Sequence, residues 1–202
     1  MPPKPKFSKE EVIAAALELV SEKGMSALTS RDLAARLGSS ARPIFTVFKN
    51  MEEVQQAVQT AAMERFNQYA KKAMQYTPTF KQFGMQMILF AMQEPKLYQL
   101  LFMAGDGTVQ NFDEIFVQLG ENAAVCLTVL QKDYGLNEAE AMELFQHVWI
   151  FTFGVGTLCA TGVCHFSDEV INELLGQDFM AMLARIKSGA SQQPTVHPIQ
   201  KL

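Results

Sequence analysis

The 202-residue sequence predicts an all-α protein: an N-terminal three-helix helix-turn-helix domain, then a larger helical bundle. Apolar residues recur at helical spacing along most of the chain, the signature of amphipathic helices. Glycines and capping residues cut the first 50 residues into short pieces, whereas later helices run long between breaks. Charge divides the same way. Residues 1–50 hold eight Lys/Arg against five Asp/Glu and the rest holds nine against sixteen, so a basic head sits on an acidic body although the chain is −4 overall. Such a division suits contact with a polyanion at one end only.

Residues 1–7 read as a disordered basic arm. Ser8 and Glu11 form a capping box that opens the first helix, Val12, Ile13, Ala16, Leu17 and Val20 make its buried stripe, and Gly24 closes it. Thr29 and Asp32 form a second capping box, Leu33, Ala34 and Leu37 share one face, and Gly38 supplies the left-handed residue that ends this helix. Ser39 and Ser40 offer the next N-cap, with Pro43 in the first turn, where its missing N–H costs little. Ile44 and Phe48 then point inward and Arg42, Phe45, Thr46 and Lys49 outward. A short helix whose outer face carries a base, an aromatic ring and a hydroxyl suits the major groove. Residues 8–50 are therefore read as a helix-turn-helix DNA-binding domain.

Gly24, Thr29, Arg31, Asp32, Leu33, Ala34, Gly38, Ser40, Ile44, Phe45, Phe48, Lys49, Glu52 and Val54 stand at the spacing of the TetR/AcrR pattern, helix, Gly, T-x-R-D-L/I-A, Gly, S-x-x-x-L/I-Y/F-x-x-F, K-x-x-E-x-L. Over residues 8–55 the chain resembles that family of bacterial repressors. The resemblance implies DNA binding as the role of this segment, and the candidate DNA-binding residues in it are Thr29, Arg31, Ser40, Ala41, Arg42, Phe45, Thr46 and Lys49. The sequence departs at Phe45, where the family usually has a tyrosine that reaches a phosphate, and at Arg42–Pro43.

Residues 51–188 are read as the effector-binding and dimerisation domain. A helix beginning near Asn50 continues to about Tyr76 without Gly or Pro, and Pro78 breaks it. The next two helices, Thr79–Gln93 and a shorter one from Pro95, crowd aromatic and methionine side chains together. Such a stripe is either core or an adaptable apolar pocket. The pocket candidates are Phe83, Met87, Phe90, Tyr98, Phe102 and Met103, joined by Trp149 and Phe153. Residues 104–111 read as a loop and a helix is expected over 112–133, closed by Gly135. Asn137 and Glu140 cap the following helix, which carries no charge from Val148 to Cys164. That run is shorter than the about 20 residues of a membrane span, so a helix buried on all sides at a subunit interface is expected. Ser167 caps the last helix, Gly189 ends it, and residues 189–202 read as a loose tail. The interface candidates are Gly156, Ala160, Leu174, Phe179 and Met182, the small residues allowing close backbone approach.

Trp149 and Gly154 also match a W-x-x-x-H-G signature, with Phe153 in place of the histidine, so the body resembles a TetR/AcrR subgroup. The segment MPPKPKF has no apolar h-region, and the odd set Cys126, Cys159 and Cys164 reads as reduced thiols, so a cytoplasmic location is expected. Cys159, Cys164 and His165 lack partners at metal-ligand spacing and no cofactor motif occurs, so neither metal nor cofactor is expected. His147, His165 and His197 have no nucleophile or carboxylate at a catalytic spacing, which argues against an enzyme. The expected partners are an operator in double-stranded DNA, an apolar small-molecule effector and a second copy of the chain, with no membrane. The rival reading is an apolar-ligand carrier or small helical enzyme whose N-terminal corner is only structural.

Overall fold

The computed structural model describes residues 6–104 and 119–189. Among them are eight α-helices and no strand. Helix α1 (Lys9–Lys23) starts at the reciprocal Ser8–Glu11 box: the Glu11 N–H donates to Ser8 Oγ at 3.1 Å and the Ser8 N–H to Glu11 Oε2 at 2.7 Å. Gly24 (φ 84) turns the chain into a short 3₁₀ turn, Met25–Ala27, and α2 (Ser30–Arg36) follows. Thr29 caps α2 by accepting the Asp32 N–H, but the expected box is incomplete. The Asp32 carboxylate takes the Thr29 hydroxyl, and the Thr29 N–H donates to Ala27 O instead. Aspartate is one methylene shorter than the glutamate that normally closes such a box.

The expected third helix of the head is reduced to a single 3₁₀ turn, Ile44–Thr46. Ser39 and Ser40 do not cap it; Pro43 stands at its N-cap without a side-chain bond. The segment is short, Pro43 supplies no N–H, and Ile44, Thr46 and Val47 are β-branched. The Thr46 hydroxyl also donates to Pro43 O at 2.6 Å. Ile44 and Phe48 are nonetheless buried against α1 and α2, as the spacing implied.

Helix α3 (Met51–Ala73) is capped by Asn50 and ends a turn earlier than Tyr76. It buries Val54, Val58, Ala62, Phe66, Ala70 and Ala73 along one side, packing on α1 near its start and on α4 (Thr79–Gln93) further along. The apolar cluster runs from Val12 through Val54 to Phe90 and Tyr98 without a break at residue 50. Helix α5 (Pro95–Tyr98) continues into a π turn, Gln99–Met103. Helix α6 (Glu121–Tyr134) is closed by Gly135 in the left-handed region (φ 66). The helix expected over 112–133 cannot be continuous, because Gly120 (φ 53, ψ −130) has a non-helical backbone. Helices α7 (Glu138–Ala160) and α8 (Asp168–Lys187) complete the bundle, with α7 lying against α4, α6 and α8. The expected loop at 105–111, the start of a helix at 112, the arm up to residue 5 and the tail beyond 189 lie outside the described residues.

Helix α7 is not buried on all sides: Ile150, Gly154 and Leu158, four residues apart, face outward. No helix among the described residues is long and apolar enough to cross a membrane.

Candidate nucleic-acid interface and ligand cleft

In the head, Gly38 (φ 60) turns the chain between α2 and the Ile44–Thr46 turn, both of which carry polar residues outside the core. Arg31, Ser40, Arg42, Thr46 and Lys49 are exposed there, Ala41 is half-buried, and the Phe45 ring is 44% exposed. Thr29 is exposed too, but its hydroxyl is engaged with Asp32, so it orders α2. Among the described residues Arg31, Arg42 and Lys49 form no ion pair, whereas Lys9 and Arg36 do. Arg36 grips Glu22 with two hydrogen bonds, of 2.8 and 2.6 Å, and this partner holds the Glu22 carboxyl below its usual range. Glu53 accepts the Lys49 N–H at 2.8 Å and pairs with Lys9 at 3.3 Å. Two cations of the head, Lys9 and Arg36, are thus neutralised internally, while Arg31, Arg42 and Lys49 are exposed and unpaired.

Head and body meet at a polar joint. Arg65 of α3 pairs with Glu18 of α1 and, at 3.1 Å, with Glu94 at the start of α5, and Glu94 also accepts the Ser21 hydroxyl at 2.6 Å. Around it the rings of Phe66, Tyr69, Phe90 and Phe102 pack edge to face, 5.1–5.4 Å between centroids.

The body holds a cleft of ≈ 480 Å³, its open mouth included, among α3, α4, α6 and α7. Phe66 lines it from α3; Phe80, Phe83, Gly84 and Met87 from α4; Leu119, Asn122, Ala123 and Cys126 from the α6 side; Phe145, Val148, Trp149 and Thr152 from α7. Its polar groups among these residues are the Asn122 amide, which donates to Asn67 Oδ1 at 2.7 Å, the buried Thr152 hydroxyl, the Trp149 indole and the Cys126 thiol. Burial pushes the Cys126 pKa far up, so that thiol stays protonated.

Of the eight residues the sequence nominates for a pocket, Phe83, Met87 and Trp149 line this cleft. Phe90 and Tyr98 are fully buried beside it in the core, Phe102 packs on Phe66 and Tyr98, and Met103 is exposed at the end of the π turn. Phe153 stacks on Trp149, 5.2 Å between centroids and 17° between planes, behind the cleft wall. A signal for the remaining lining residues did exist. The sets 80/83/84/87, 119/122/123/126 and 145/148/149/152 each repeat the spacing of one helix face, but spacing cannot say which faces meet.

The nominated interface residues sit largely inside one protomer. A Cβ on Gly156 would lie 2.8 Å from the Tyr98 hydroxyl, so this glycine makes room for a tyrosine of its own chain, not for a partner helix. Ala160, Phe179 and Met182 are buried in the same bundle and Leu174 is half-buried. The open apolar residues of α7 and α8 are Ile150 (57% exposed), Leu158, Val170 and Met180 (61%), with Gly154 bare between them. Among the described residues no group of three or more His, Cys, Asp or Glu could hold a metal.

With this geometry in place, residues 12–58 match the family model described as "Bacterial regulatory proteins, tetR family". The head is TetR-like. Similarity in fold extends past it. A TetR-family regulator structure from Mesorhizobium loti MAFF303099 is 18% identical with TM-score 0.59, the alignment covering 87% of this chain and 94% of that one. The structure of a TetR point variant from Acinetobacter baumannii AYE, in complex with minocycline, is 18% identical with TM-score 0.57, covering 93% and 100%. No curated protein sequence matches the chain. The TetR-like head and the cleft-bearing body therefore share one fold with these structures.

Proposed function

We propose that this protein is a DNA-binding transcriptional regulator, a homodimeric repressor whose two TetR-like heads bind a pseudo-palindromic operator until an apolar small molecule occupies the cleft. The observation that carries the reading is the head itself: a matched TetR-type segment in which Arg31, Arg42, Phe45, Thr46 and Lys49 are all exposed and the three cations form no ion pair. Two heads can enter successive major grooves only when the body holds them about 34–36 Å apart. A ligand that favours another spacing lowers DNA affinity by its differential binding to the two arrangements. The polar joint Glu18–Arg65–Glu94 and helix α3, which begins in the head and lines the cleft through Phe66, supply a path for that effect.

The cleft supports an uncharged or weakly polar ligand with aromatic surface, since its described walls are aromatic and aliphatic apart from an amide, a hydroxyl, an indole N–H and a protonated thiol. A structure of similar fold is itself a minocycline complex. Trp149 in the cleft wall and Gly154 support placing the body with the W-x-x-x-H-G subgroup. For dimerisation the outward row Ile150, Gly154 and Leu158 with Val170 and Met180 replaces Gly156, which is taken up by Tyr98. Antiparallel pairing of these two helices with their copies would form a four-helix interface. The chain is read as a non-enzyme located in the cytoplasm.

The test is selection of duplexes from a random pool by the purified protein, followed by gel shift with and without hydrophobic compounds. Enrichment of an inverted repeat supports the reading. A pool that stays random rejects it and returns the cleft to the ligand-carrier alternative.

A further inference from the structure

The C-terminal end of α7 and the turn after it carry a pair of cysteines, Cys159 and Cys164, that the regulator reading leaves unused. Cys159 and Cys164 line one open groove with Met92, Pro95, Lys96 and His165, and no residue of this groove also lines the cleft. Helix α7 ends in a glycine turn (Gly162, φ 73), and the N–H groups of Val163 and Cys164 both donate to Leu158 O, at 3.1 and 3.2 Å. This doubled bond folds Cys164 back over the peptide that precedes Cys159. Phe166 lines the same groove on the returning chain, and the nearby Cys164 adds to burial in raising the Cys159 pKa. A disulfide asks for Cα atoms about 4.4–6.8 Å apart with converging Cβ vectors. Cys159 and Cys164 open into one groove on either side of a hydrogen-bonded turn, the arrangement in which such an approach can be tested. Both are half-buried and so within reach of a small oxidant, whereas Cys126 is closed off in the core.

The turn is also wired toward the head. Gln99 Nε2 donates to Ala160 O at 2.7 Å, Lys96 Nζ donates to Gln99 Oε1 at 3.4 Å, and the Lys96 stem lies against Gly24 at the end of α1. The last carbonyl of α7 is therefore linked to the end of α1 through Gln99 and Lys96.

We propose that Cys159 and Cys164 form a redox-active dithiol whose oxidation to an intrachain disulfide alters the hold of α7 on α5 and, through it, on the head. The oxidant is a peroxide. The Cys164 thiolate attacks one peroxide oxygen, the O–O bond breaks, and the departing hydroxide takes a proton to leave as water. The Cys159 sulfur then displaces hydroxide from the resulting sulfenic acid, the S–S bond forms, and the Cys159 proton leaves with that hydroxide as a second water. Two thiols lose two electrons and one peroxide is reduced to two waters. Cys159 acts second because burial raises its pKa and it stands at a helix C-terminus, which disfavours an anion.

The thiol chemistry stands without the regulator reading; its effect on DNA binding rests on it. Full-length protein is treated with hydrogen peroxide, and free thiols, intact mass and a peptide map are recorded. The expected result is one remaining thiol of the three, loss of two hydrogen atoms per chain, and a bridge joining Cys159 to Cys164. Cys159→Ser and Cys164→Ser each abolish the bridge, while Cys126→Ser keeps it. Hydrogen exchange of α1 and α5 reads the coupling without DNA, and faster exchange on oxidation is expected there. On the selected duplex, oxidation should change the dissociation constant by about 5- to 150-fold, the range of ordinary coupling between sites. Three thiols surviving peroxide, or a bridge involving Cys126 or a second chain, overturns the proposal. A Cys159–Cys164 bridge with unchanged exchange in α1 and α5 overturns the coupling. A reduced protein that binds no DNA, with bridge and exchange as expected, rejects the regulator reading and supports the dithiol.

Discussion

Replacing Gly156 by alanine tests the packing of the body at one atom pair. The new Cβ would stand 2.8 Å from the Tyr98 hydroxyl oxygen, 3.1 Å from Cζ and 3.3 Å from Cε2. Tyr98 cannot easily withdraw: it is fully buried, its hydroxyl donates to Phe153 O at 3.1 Å, and its ring packs on Phe102 and Phe153. Burial holds its pKa up to about 12, so the hydroxyl stays neutral and the clash is steric at any working pH. Overpacking costs about 1–3 kcal/mol and weakening the hydroxyl bond about 0.5–1.5 kcal/mol. Alanine's higher helix propensity returns about 0.8–1.0 kcal/mol. The net expectation is a destabilisation of about 0.5–3.7 kcal/mol. Tyr98→Phe deletes the nearest contacting atom, so in the double variant the alanine penalty should shrink by about 1 kcal/mol, a coupling typical of touching residues. Urea unfolding followed by the single tryptophan, Trp149, at fixed protein concentration measures all four corners of the cycle. Sedimentation of Gly156→Ala should match wild type, since the glycine faces its own protomer. A variant as stable as wild type, or one that dissociates with an unchanged unfolding midpoint, would refute the packing argument.

Arg42→Ala should cost about 1–3 kcal/mol per half-site at the preferred base and relax the preference there, whereas Lys49→Ala should weaken all sequences alike and lower the dimer's salt slope by about 1.8; isotherms at several salt concentrations on selected and scrambled duplex separate the two. An apolar compound that fills the cleft should stabilise the protein by about 2.7 kcal/mol at a hundredfold its dissociation constant, a shift that Phe83→Ala should reduce; thermal scans against a hydrophobic panel read it. Met180→Glu and Ile150→Glu, each placing a charge on the outward apolar face of α7 and α8, should give monomers by sedimentation with helical content intact, and a persistent dimer would move the interface elsewhere. Asp178 has its carboxyl pKa raised, by burial first and against the opposing pull of His147, and its Oδ2 is buried without a hydrogen-bond partner. Its folded form therefore holds a proton better than the unfolded chain, so this group favours the fold below the ordinary value of about 3.9 and loses that contribution as pH rises through the raised value. Asp178→Asn should accordingly resist urea better than wild type at neutral pH, with the advantage vanishing in acid.

The head was legible in the sequence because its determinants are local. Ser8 with Glu11, Thr29, Gly38 and the Ile44/Phe48 pair act within four residues of where they stand, and the structure places them as that spacing implies. The form of the recognition element was less legible. Ile44 and Phe48 are still linked by one α-type bond, the Phe48 N–H donating to Ile44 O at 3.0 Å, but Pro43 and three β-branched neighbours shorten the element itself to a 3₁₀ turn. In the body, the sequence determined which positions are apolar and where helices stop, but not which faces confront each other. Phe80, Ala123 and Phe145 come from three different helices and meet only because α4, α6 and α7 pack together, so the cleft exists in no segment alone. Gly156 shows the same limit at one residue. A glycine in an apolar helix announces a close approach, and the sequence cannot say to whom; only the fold, by seating the Tyr98 hydroxyl against it, made that neighbour part of its own chain. The outward row of Ile150, Gly154 and Leu158 followed from the same rotation of α7, because packing one face of a uniformly apolar helix leaves the opposite face to solvent or to a partner.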